Sequence, residues 1–542
     1  MGLFNKASIV MTPNGVKAGK VYSVKPSDGD GDFTFSRATV ANKEASNGLI
    51  QETAVNVPRL DYSDGTCPAL LLEPQSTNLI TYPISFFNSY WTKSKASIQG
   101  SPIGDELVVN GDFSDDESGW SFATGWSVIN REATTLGIAL TPISQNSLVN
   151  GLNKLTIDVS SGGVFIYTNY PTFSKKATFS TEGTHTIYLE SDGVGVNQKI
   201  YIYNEGPGNS AAISNVSVKE VQGFVSPDGT SNAYKLVPSV AAGSSYISLT
   251  ASTGLKTNSF FLKKGELSYV SVGNAAYVVV VDLILGALSK SSDSINNYSI
   301  EKHPNGWYRV SIYNKTASNY QIQLFTGVDS NGVNITNNGT SGVYIYGAQL
   351  EALPYATSLM LPAVEGSTVT RVADLCTNSG TVNDFNSAEG VLYADIAALS
   401  DDLTLRCISI NDGTSGDSVI IRYRTESNKI QCVVFYGGVL IFSASIVASS
   451  ILDYNKVALK YKSGDYSFWS NGVEVSASSA AAVPTGLNNL SLHNGTTDPF
   501  YGKVRGVQVY KEALTDTELY DLTKPLYSTF DVMTNDLQYD TI

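Results

Sequence analysis

Charged side chains are scarce in this sequence. Asp, Glu, Lys and Arg make up 15% of its 542 residues, against about 25% in an average soluble protein. Glycine and tyrosine are abundant instead, with 47 and 31 residues, and this favours turns and strands over helices. The composition predicts an all-β protein whose surface is polar through hydroxyl and amide groups. Its length predicts several domains.

Positive charge is also in short supply, since the formal net charge is −14. An acidic surface repels a phosphate backbone, so nucleic acid is excluded as a partner. No apolar run approaches the roughly 20 residues of a membrane span, which excludes membrane insertion. The first ten residues, MGLFNKASIV, lack the basic and then apolar pattern of a signal peptide. We therefore expect synthesis in the cytoplasm.

Cysteine and histidine are rare, which limits metal binding and catalysis. The four cysteines are far apart and are predicted to be buried free thiols: Cys67, Cys376, Cys407 and Cys432. The three histidines are predicted to lie in exposed loops, away from any ligand spacing: His185, His303 and His493. The sequence has no G-x-S-x-G nucleophile motif and no phosphate loop. No catalytic residue is predicted, and we expect the chain not to be an enzyme.

Alternating apolar residues are the dominant pattern. They occur, for example, in LTIDVS (155–160) and NVSVKEV (215–221), and period two with frequent turns predicts β-sandwiches. A new domain begins with DELVVNGDFS near 105, whereas GFVSPDGT at 223 continues the segment that stopped at 100. The sequence therefore predicts one jelly-roll inserted into a loop of another.

The outer jelly-roll is predicted to begin with strands at Ser76–Ile80 and Tyr90–Ile98 and to end with VYIYGAQLE, Val343–Glu351. The two tyrosines of that last strand are predicted to belong to the core. The predicted boundaries are an extended attachment arm (1–75), the outer jelly-roll (76–103 and 223–357), the inserted jelly-roll (104–222), a connector (358–385), a C-terminal sandwich (386–523) and a tail (524–542). The pieces FSRAT (35–39) and VTRVAD (369–374) are expected to lie side by side at the junction.

Two local signals mark the C-terminal sandwich. Asn471-Gly472 between apolar runs predicts a tight hairpin. Thr515 with Glu518 forms the sequence pattern of a capping box, which predicts a short helix from Asp516.

Several segments together resemble appendage proteins of tailed bacteriophages, such as tail-fibre, tail-spike and head-fibre subunits. The segments that carry this resemblance are FTFSRATV, LLLEPQSTNLITY, GWYRVSI, VYIYGAQLE and GSTVTRVADLC. VALKYKSGDYSFWSNGVEV and GKVRGVQVYKEALTDTEL are similar to the concanavalin A-like (laminin G-like) sandwich. The outer jelly-roll resembles a carbohydrate-binding module.

The resemblance implies a structural subunit on the virion surface that binds host-surface or mucosal glycans. It also implies a homo-oligomer, with a trimer as the usual state, attached to other virion proteins through the N-terminal arm. Two alternatives stay open: a purely structural head-decoration or collar protein without sugar sites, and a polysaccharide depolymerase.

Aromatic rings that stack on sugars are the candidate binding residues. Trp120 and Trp126, which flank a segment of the inserted domain, are the candidates for a sugar platform. The remaining tryptophans are expected in cores: Trp91, Trp307 and Trp469. Glu106, Asn110 and Asp112 form a second hypothesis, a structural calcium site; no other cofactor is expected.

Overall fold

The computed structural model describes residues 2–25, 31–137, 139–241, 243–251, 254–273, 278–291, 298–314, 320–495 and 497–525. The predicted tail lies outside the described residues from 526 onward. In the ranges given, none of the helices is long and apolar enough to span a bilayer.

The N-terminal region contains one short helix and nine strands. They are α1 (Leu3–Lys6), β1 (Ala7–Met11), β2 (Val16–Lys17), β3 (Lys20–Val21), β4 (Phe33–Ser36), β5 (Ala41–Glu44), β6 (Ile50–Thr53), β7 (Arg59–Asp61), β8 (Ala69–Leu72) and β9 (Ser76–Asn78).

Two strands of the outer sandwich precede the inserted domain: β10 (Thr92–Ser94) and β11 (Ala96–Gln99). The inserted domain follows with β12 (Ser101–Ile103), β13 (Ser121–Phe122), β14 (Trp126–Ile129), β15 (Glu132–Thr135), β16 (Pro142–Asn146), β17 (Gly151–Gly162), β18 (Val164–Thr168), β19 (Ser174–Phe179), β20 (Gly183–Ser191), β21 (Lys199–Asn204) and β22 (Ala211–Gln222).

The outer sandwich then resumes. Its strands are β23 (Phe224–Val225), β24 (Ser231–Pro238), β25 (Ser245–Ala251), β26 (Lys256–Lys264), β27 (Tyr269–Gly273), β28 (Val278–Asp282), β29 (Ala287–Ser291), β30 (Tyr298–Lys302), β31 (Trp307–Asn314), β32 (Tyr320–Thr326) and β33 (Val343–Glu351).

The connector and the C-terminal sandwich complete the chain. Their elements are β34 (Val369–Arg371), β35 (Leu375–Thr377), β36 (Glu389–Ala398), β37 (Arg406–Asn411), β38 (Ser418–Tyr423), β39 (Lys429–Tyr436), β40 (Val439–Val447), β41 (Asn455–Lys462), β42 (Tyr466–Ser470), β43 (Val473–Ser478), β44 (Asn489–Ser491), β45 (Gly502–Tyr510) and α2 (Asp516–Thr523). Three short 3₁₀ helices lie at Gly195–Gln198, Pro304–Gly306 and Val382–Asp384.

The predicted fold class is confirmed, including the nesting of one sandwich within another. The first and last strands of the inserted domain lie side by side, with Ser101 opposite Gln222 in an antiparallel pair. An insertion needs this geometry because both of its ends must leave from one place on the host domain. The paired ends at 101 and 222 place the first boundary slightly before the predicted 104.

This inserted sandwich has its own apolar core between two sheets, ordered β14-β15-β22-β17-β20 with β12 on β22, and β13-β16-β21-β18-β19.

The outer sandwich consists of the sheets β10-β25-β32-β27-β28-β29 and β11-β24-β33-β26-β31-β30. Strand β33 lies between β24 and β26 and is buried along almost its whole length. Tyr346 is fully buried and donates its hydroxyl to Asp228, whereas Tyr344 is half-buried. The prediction that VYIYGAQLE is the last strand of the outer jelly-roll is confirmed, and the prediction of core tyrosines is confirmed for Tyr346 but not for Tyr344.

The N-terminal region packs on the C-terminal sandwich. Strands β1 and β8 both pair with β45, the last strand of the C-terminal sandwich. Apolar residues of the region, including Ile9, Met11 and Leu70, belong to the same core as the C-terminal sheets. The N-terminal region therefore has no core of its own and is buried by completing that sandwich, while its role in attachment to other virion proteins stays a prediction.

A correction concerns residues 76–80. Strand β9 pairs with β34 in a two-stranded sheet, with Asn78 opposite Val369. The two residues after it join the outer sandwich, where the Leu79 amide donates to the Leu350 oxygen and Ile80 enters the core.

Strand β4 pairs with β35, with Ser36 opposite Leu375. The two similar segments, 35–39 and 369–374, are therefore neighbours, as expected. The residues that actually pair lie at the edges of these segments, in β4 and β35.

A buried network of charges, the junction network, ties the N-terminal region to the connector. Its side chains are at most 3% exposed and are Arg37, Arg59, Glu73, Arg371 and Asp374. Arg59 pairs with both Glu73 and Asp374, Arg371 lies 2.8 Å from Glu73, and Arg37 lies 3.1 Å from Asp374. Burial alone would raise the pKa of Glu73, but Arg371 and Arg59 outweigh it and lower the pKa to about 2.

Candidate functional site

The two tryptophans predicted as a sugar platform are core residues of the inserted sandwich. Trp120 is 8% exposed and Trp126 is 6% exposed. Their indole N–H groups donate to backbone oxygens, at 3.1 Å to Asn110 and 2.8 Å to Thr141. Stacking on a sugar requires an accessible ring face, so this burial removes both residues as a platform. Trp91, Trp307 and Trp469 are buried, as expected.

The three residues of the calcium hypothesis are already bonded within the protein. Glu106 accepts from the backbone amide of Val218 at 2.6 Å. The Asn110 amide donates to three backbone oxygens of the following turn. Asp112 forms an ion pair with Arg131 at 2.6 Å. A guanidinium at this position repels a cation, so the arrangement does not support calcium here.

The histidine and cysteine side chains lie only in part where the sequence predicts them. Within the described ranges, His, Cys, Asp and Glu side chains form no group of three or more that could hold a metal ion. His303 is predicted to lie in an exposed loop, but its side chain is largely buried. Its Nδ1 atom lies 3.0 Å from the Glu44 carboxylate. Cys67 is exposed, whereas the other three cysteines are buried as predicted.

A different set of aromatic residues lies on the outer face of the inserted sandwich. Strands β18 (VFIYT) and β21 (KIYIYN) alternate strictly between buried and half-buried residues, with Val and Ile among the buried ones and every ring among the half-buried ones. Because successive side chains of a strand point to opposite faces, the Val and Ile residues enter the core and the rings face solvent. We call this set the aromatic face; its members are Phe165, Tyr167, Phe173, Tyr201 and Tyr203.

The rings of the aromatic face form one contiguous group. Phe165 lies opposite Tyr203 and Tyr167 opposite Tyr201 in the antiparallel pair of β18 and β21. Phe173, in the turn after β18, is 52% exposed and stacks on Tyr167 with ring centroids 5.3 Å apart. Tyr201 and Tyr203 pack edge-on against Phe173 and Tyr167, at 5.4 and 5.1 Å. These contacts hold the rings in fixed orientations, so little entropy is lost when a ligand covers them.

Polar groups surround these rings. The Asn169 amide donates to the Tyr201 hydroxyl at 3.0 Å, and the Lys175 ammonium lies 4.2 Å from the centre of the Phe165 ring. Burial and the neighbouring tyrosines raise the pKa of Tyr203. Its phenol therefore stays protonated and able to donate. Rings flanked by an amide, an ammonium and hydroxyls match the mixed apolar and polar surface of a sugar.

The sequence holds a signal for the aromatic face. VFIYT and IYIYN place an aromatic residue at every second position opposite Val or Ile. The aliphatic half of that alternation marks the core, which leaves the aromatic half outside. Trp120 and Trp126 lack this pattern, and their large ring area favours burial instead.

No family model matches this chain, and no curated protein matches it. Solved structures do match. The CBM40 module of a Ruminococcus gnavus IT-sialidase, bound to α2,3-sialyllactose, is 19% identical over 27% of this chain and 93% of that one, with a TM-score of 0.23.

Two further structures match most of the chain. Domains LG4-5 of the mouse laminin α1 chain are 9% identical and cover 76% of this chain and 96% of that one, with a TM-score of 0.19. A Trypanosoma rangeli sialidase in complex with sialic acid is 10% identical and covers 93% and 98%, with a TM-score of 0.21. Scores this low do not carry an argument about function, and the fold assignment rests on the sheets of this chain.

Proposed function

We propose that this chain is a non-enzymatic, glycan-binding appendage subunit of a tailed bacteriophage, and that sugar binds at the aromatic face. The observation that carries the proposal is a contiguous group of solvent-facing rings on two adjacent strands and the turn after the first of them. Soluble proteins rarely leave such groups uncovered without an interaction to serve. The phage setting rests on the sequence segments that resemble appendage proteins.

Binding at one aromatic face is expected to be weak. An aromatic contact contributes about 0.5–1.5 kcal/mol beyond the area it buries, and the face is open and not enclosed. A homotrimer repeated on a particle would present many copies at high effective concentration, which multiplies the apparent affinity. This is the mechanism that we propose for adhesion to host-surface or mucosal glycans.

The direct test uses the full chain on an array of host-surface and mucosal glycans. The double variant Tyr167→Ala, Tyr201→Ala should weaken binding by roughly 4- to 150-fold, since each ring contributes roughly a factor of 2 to 12. Tyr436→Ala is the matched control, because Tyr436 is 43% exposed but lies on the C-terminal sandwich. Unchanged binding by the double variant would remove the aromatic face as the site.

Two other results would redirect the proposal. A wild-type chain that binds no glycan would favour the structural head-decoration or collar protein. Release of reducing ends from a capsular polysaccharide would show a depolymerase.

The virion setting has its own test. A labelled antibody against the chain should decorate intact phage particles in electron micrographs. Particles that lack the label, with the chain found only in lysate, would overturn the appendage proposal while leaving glycan binding intact.

A further inference from the structure

A cleft lies between the inserted sandwich and the outer sandwich, and one of the residues that line it, Gln99, is two residues before the paired end at Ser101. Its volume is about 760 Å³, within the range of about 300–1,000 Å³ that small-molecule sites occupy. Each wall includes the outermost strand of a sheet: β11 on the outer sandwich and β20 on the inserted one. Both strands line the cleft with consecutive residues, Ala96–Gln99 and Thr186–Glu190. Backbone groups at such strand edges are available to bind a ligand.

Positive charge is concentrated in this cleft. Lys93, Lys154 and Lys176 line it together with a single carboxylate, Glu190. All four are half-buried, and they come from strands β10, β17, β19 and β20. We call the site the lysine cleft. A surplus of lysines in one cleft is unexpected in a chain whose net charge is −14, and it creates a local potential that attracts anions.

Hydrogen bonds hold the ammonium groups of Lys93 and Lys176 in place without using all of their N–H donors. The Lys93 ammonium donates to the backbone oxygens of Asn88 and Trp91, at 2.9 and 3.0 Å. The Lys176 ammonium donates to the Ser174 hydroxyl at 2.8 Å. An ammonium has three donors, so each of these lysines keeps at least one N–H for a ligand.

Glu190 does not neutralise the lysines fully near neutral pH. Its carboxylate accepts from the Asn88 amide at 3.2 Å. Burial raises the pKa of Glu190 to about 7, although Lys93 and Lys176 oppose this effect. Burial also lowers the pKa of Lys93 to about 8.

Aromatic rings complete the walls. Phe87, Tyr170 and Tyr188 line the cleft, and Tyr188 is anchored by donating its hydroxyl to the Gly100 oxygen at 3.3 Å. Rings beside cations and amide or hydroxyl groups suit a sugar that carries a negative charge.

An acidic peptide strand fits less well. A strand added between two sheet edges needs about 4.8 Å on each side, or roughly 10 Å in total. The Cα atoms of β11 and β20 approach within 8 Å of each other, which leaves no room for pairing with both edges at that end. A saccharide has no such spacing requirement.

We propose that the lysine cleft is a second saccharide site, distinct from the aromatic face, and that it binds a carboxylate-bearing oligosaccharide such as a uronate or sialate. The lysines bind the carboxylate, and the rings and strand edges bind the sugar body. The site belongs to neither sandwich alone, so ligand binding also fixes the inserted sandwich against the outer one.

The test is a calorimetric titration of the full chain with a panel of uronate- and sialate-containing oligosaccharides and with the same compounds after reduction of their carboxyl groups. Acidic ligands should bind at least tenfold more tightly than the reduced ones, since hydrogen bonds to charged groups contribute about 1.5–3 kcal/mol. Equal binding of the two sets, or binding of neither, would overturn the proposal.

Variants assign the binding to the cleft. Lys154→Gln with Lys176→Gln should remove the preference for acidic ligands. Lys462→Gln is the matched control, because Lys462 is 47% exposed and paired with Glu389 on the C-terminal sandwich. The Tyr167→Ala, Tyr201→Ala variant should keep full binding of acidic ligands, so failure of the aromatic face and failure of the cleft give different results. Binding of an oligoglutamate peptide as tightly as the best saccharide would overturn the saccharide assignment.

Discussion

Replacing Arg59 with methionine is the most direct test of whether the junction network holds the N-terminal region to the connector. Arg59 is fully buried and pairs with both Glu73 and Asp374. It also donates to the Ser358 hydroxyl at 2.9 Å. Methionine preserves much of the volume but removes the charge and every one of these hydrogen bonds. The two carboxylates then stay buried with one fewer cation.

The loss of folding stability in Arg59→Met depends on which cations remain beside Glu73 and Asp374. Removing one partner of a buried ion pair costs about 3–5 kcal/mol, because the other charge is left uncompensated. Here Glu73 keeps Arg371 at 2.8 Å, and Asp374 keeps Arg37 at 3.1 Å. We therefore expect the lower end, about 3 kcal/mol.

Amide hydrogen exchange measures the loss of stability locally, in the strands around Arg59. A loss of about 3 kcal/mol should speed amide exchange in β7, β8 and the facing part of β45 by roughly a hundredfold. The matched control is Arg424→Met, because Arg424 pairs with Glu426 at 3.3 Å on the surface. An exposed pair contributes about 0–1 kcal/mol. If Arg59→Met changes exchange no more than this control, the junction network does not hold the two regions together.

Three further predictions concern pH and a helix cap. The pKa of Glu73 is about 2 in the folded chain against 4.5 ordinarily, so its ionised form stabilises the fold above pH 4.5. This contribution, on the order of 3 kcal/mol, should be lost as pH falls toward 2; urea unfolding of Glu73→Gln, which cannot titrate, should lack that slope. In the lysine cleft, Glu190 becomes neutral below pH about 7 and Lys93 becomes charged below about 8. Affinity for an acidic saccharide should therefore rise as pH is lowered from 9 to 6, and a flat calorimetric profile would contradict this. Thr515→Ala should destabilise helix α2 by about 1 kcal/mol, because the Thr515 hydroxyl caps the Glu518 amide; Thr515→Ser should restore the stability.

Local features of the fold were predictable from sequence because their causes are local. Asn471 and Gly472 both adopt positive φ, at 49° and 82°, and join β42 to β43 as the Asn-Gly pattern predicts. The capping box at Thr515 and Glu518 is present as predicted. Alternation likewise predicts Cys432 as a core residue, and it is fully buried. Each of these outcomes depends on a few adjacent residues.

Features that depend on distant partners were not predictable in this way. The apolar run Ala69–Leu72 is a strand in any interpretation, but nothing in it specifies β45 as its partner. The lysine cleft combines Lys93 with Glu190 from a different sandwich, so no single segment shows a site. The aromatic face lies between these two cases. Alternation within β18 and within β21 shows which of their residues point outward, even before the pairing of the two strands is known.

The pairing of β1 and β8 with β45 has a consequence for biosynthesis. Ser63 and Lys503 are hydrogen-bonded although 440 residues separate them. A ribosome adds roughly 5–20 residues per second, so the N-terminal strands wait about 20–90 s for their partner. During that time two complete sandwiches can fold while the apolar strands at the start of the chain remain uncovered. A nascent chain arrested before β45 should therefore expose Ile9 and Leu70 to chaperones and proteases, even though its central domains have already folded.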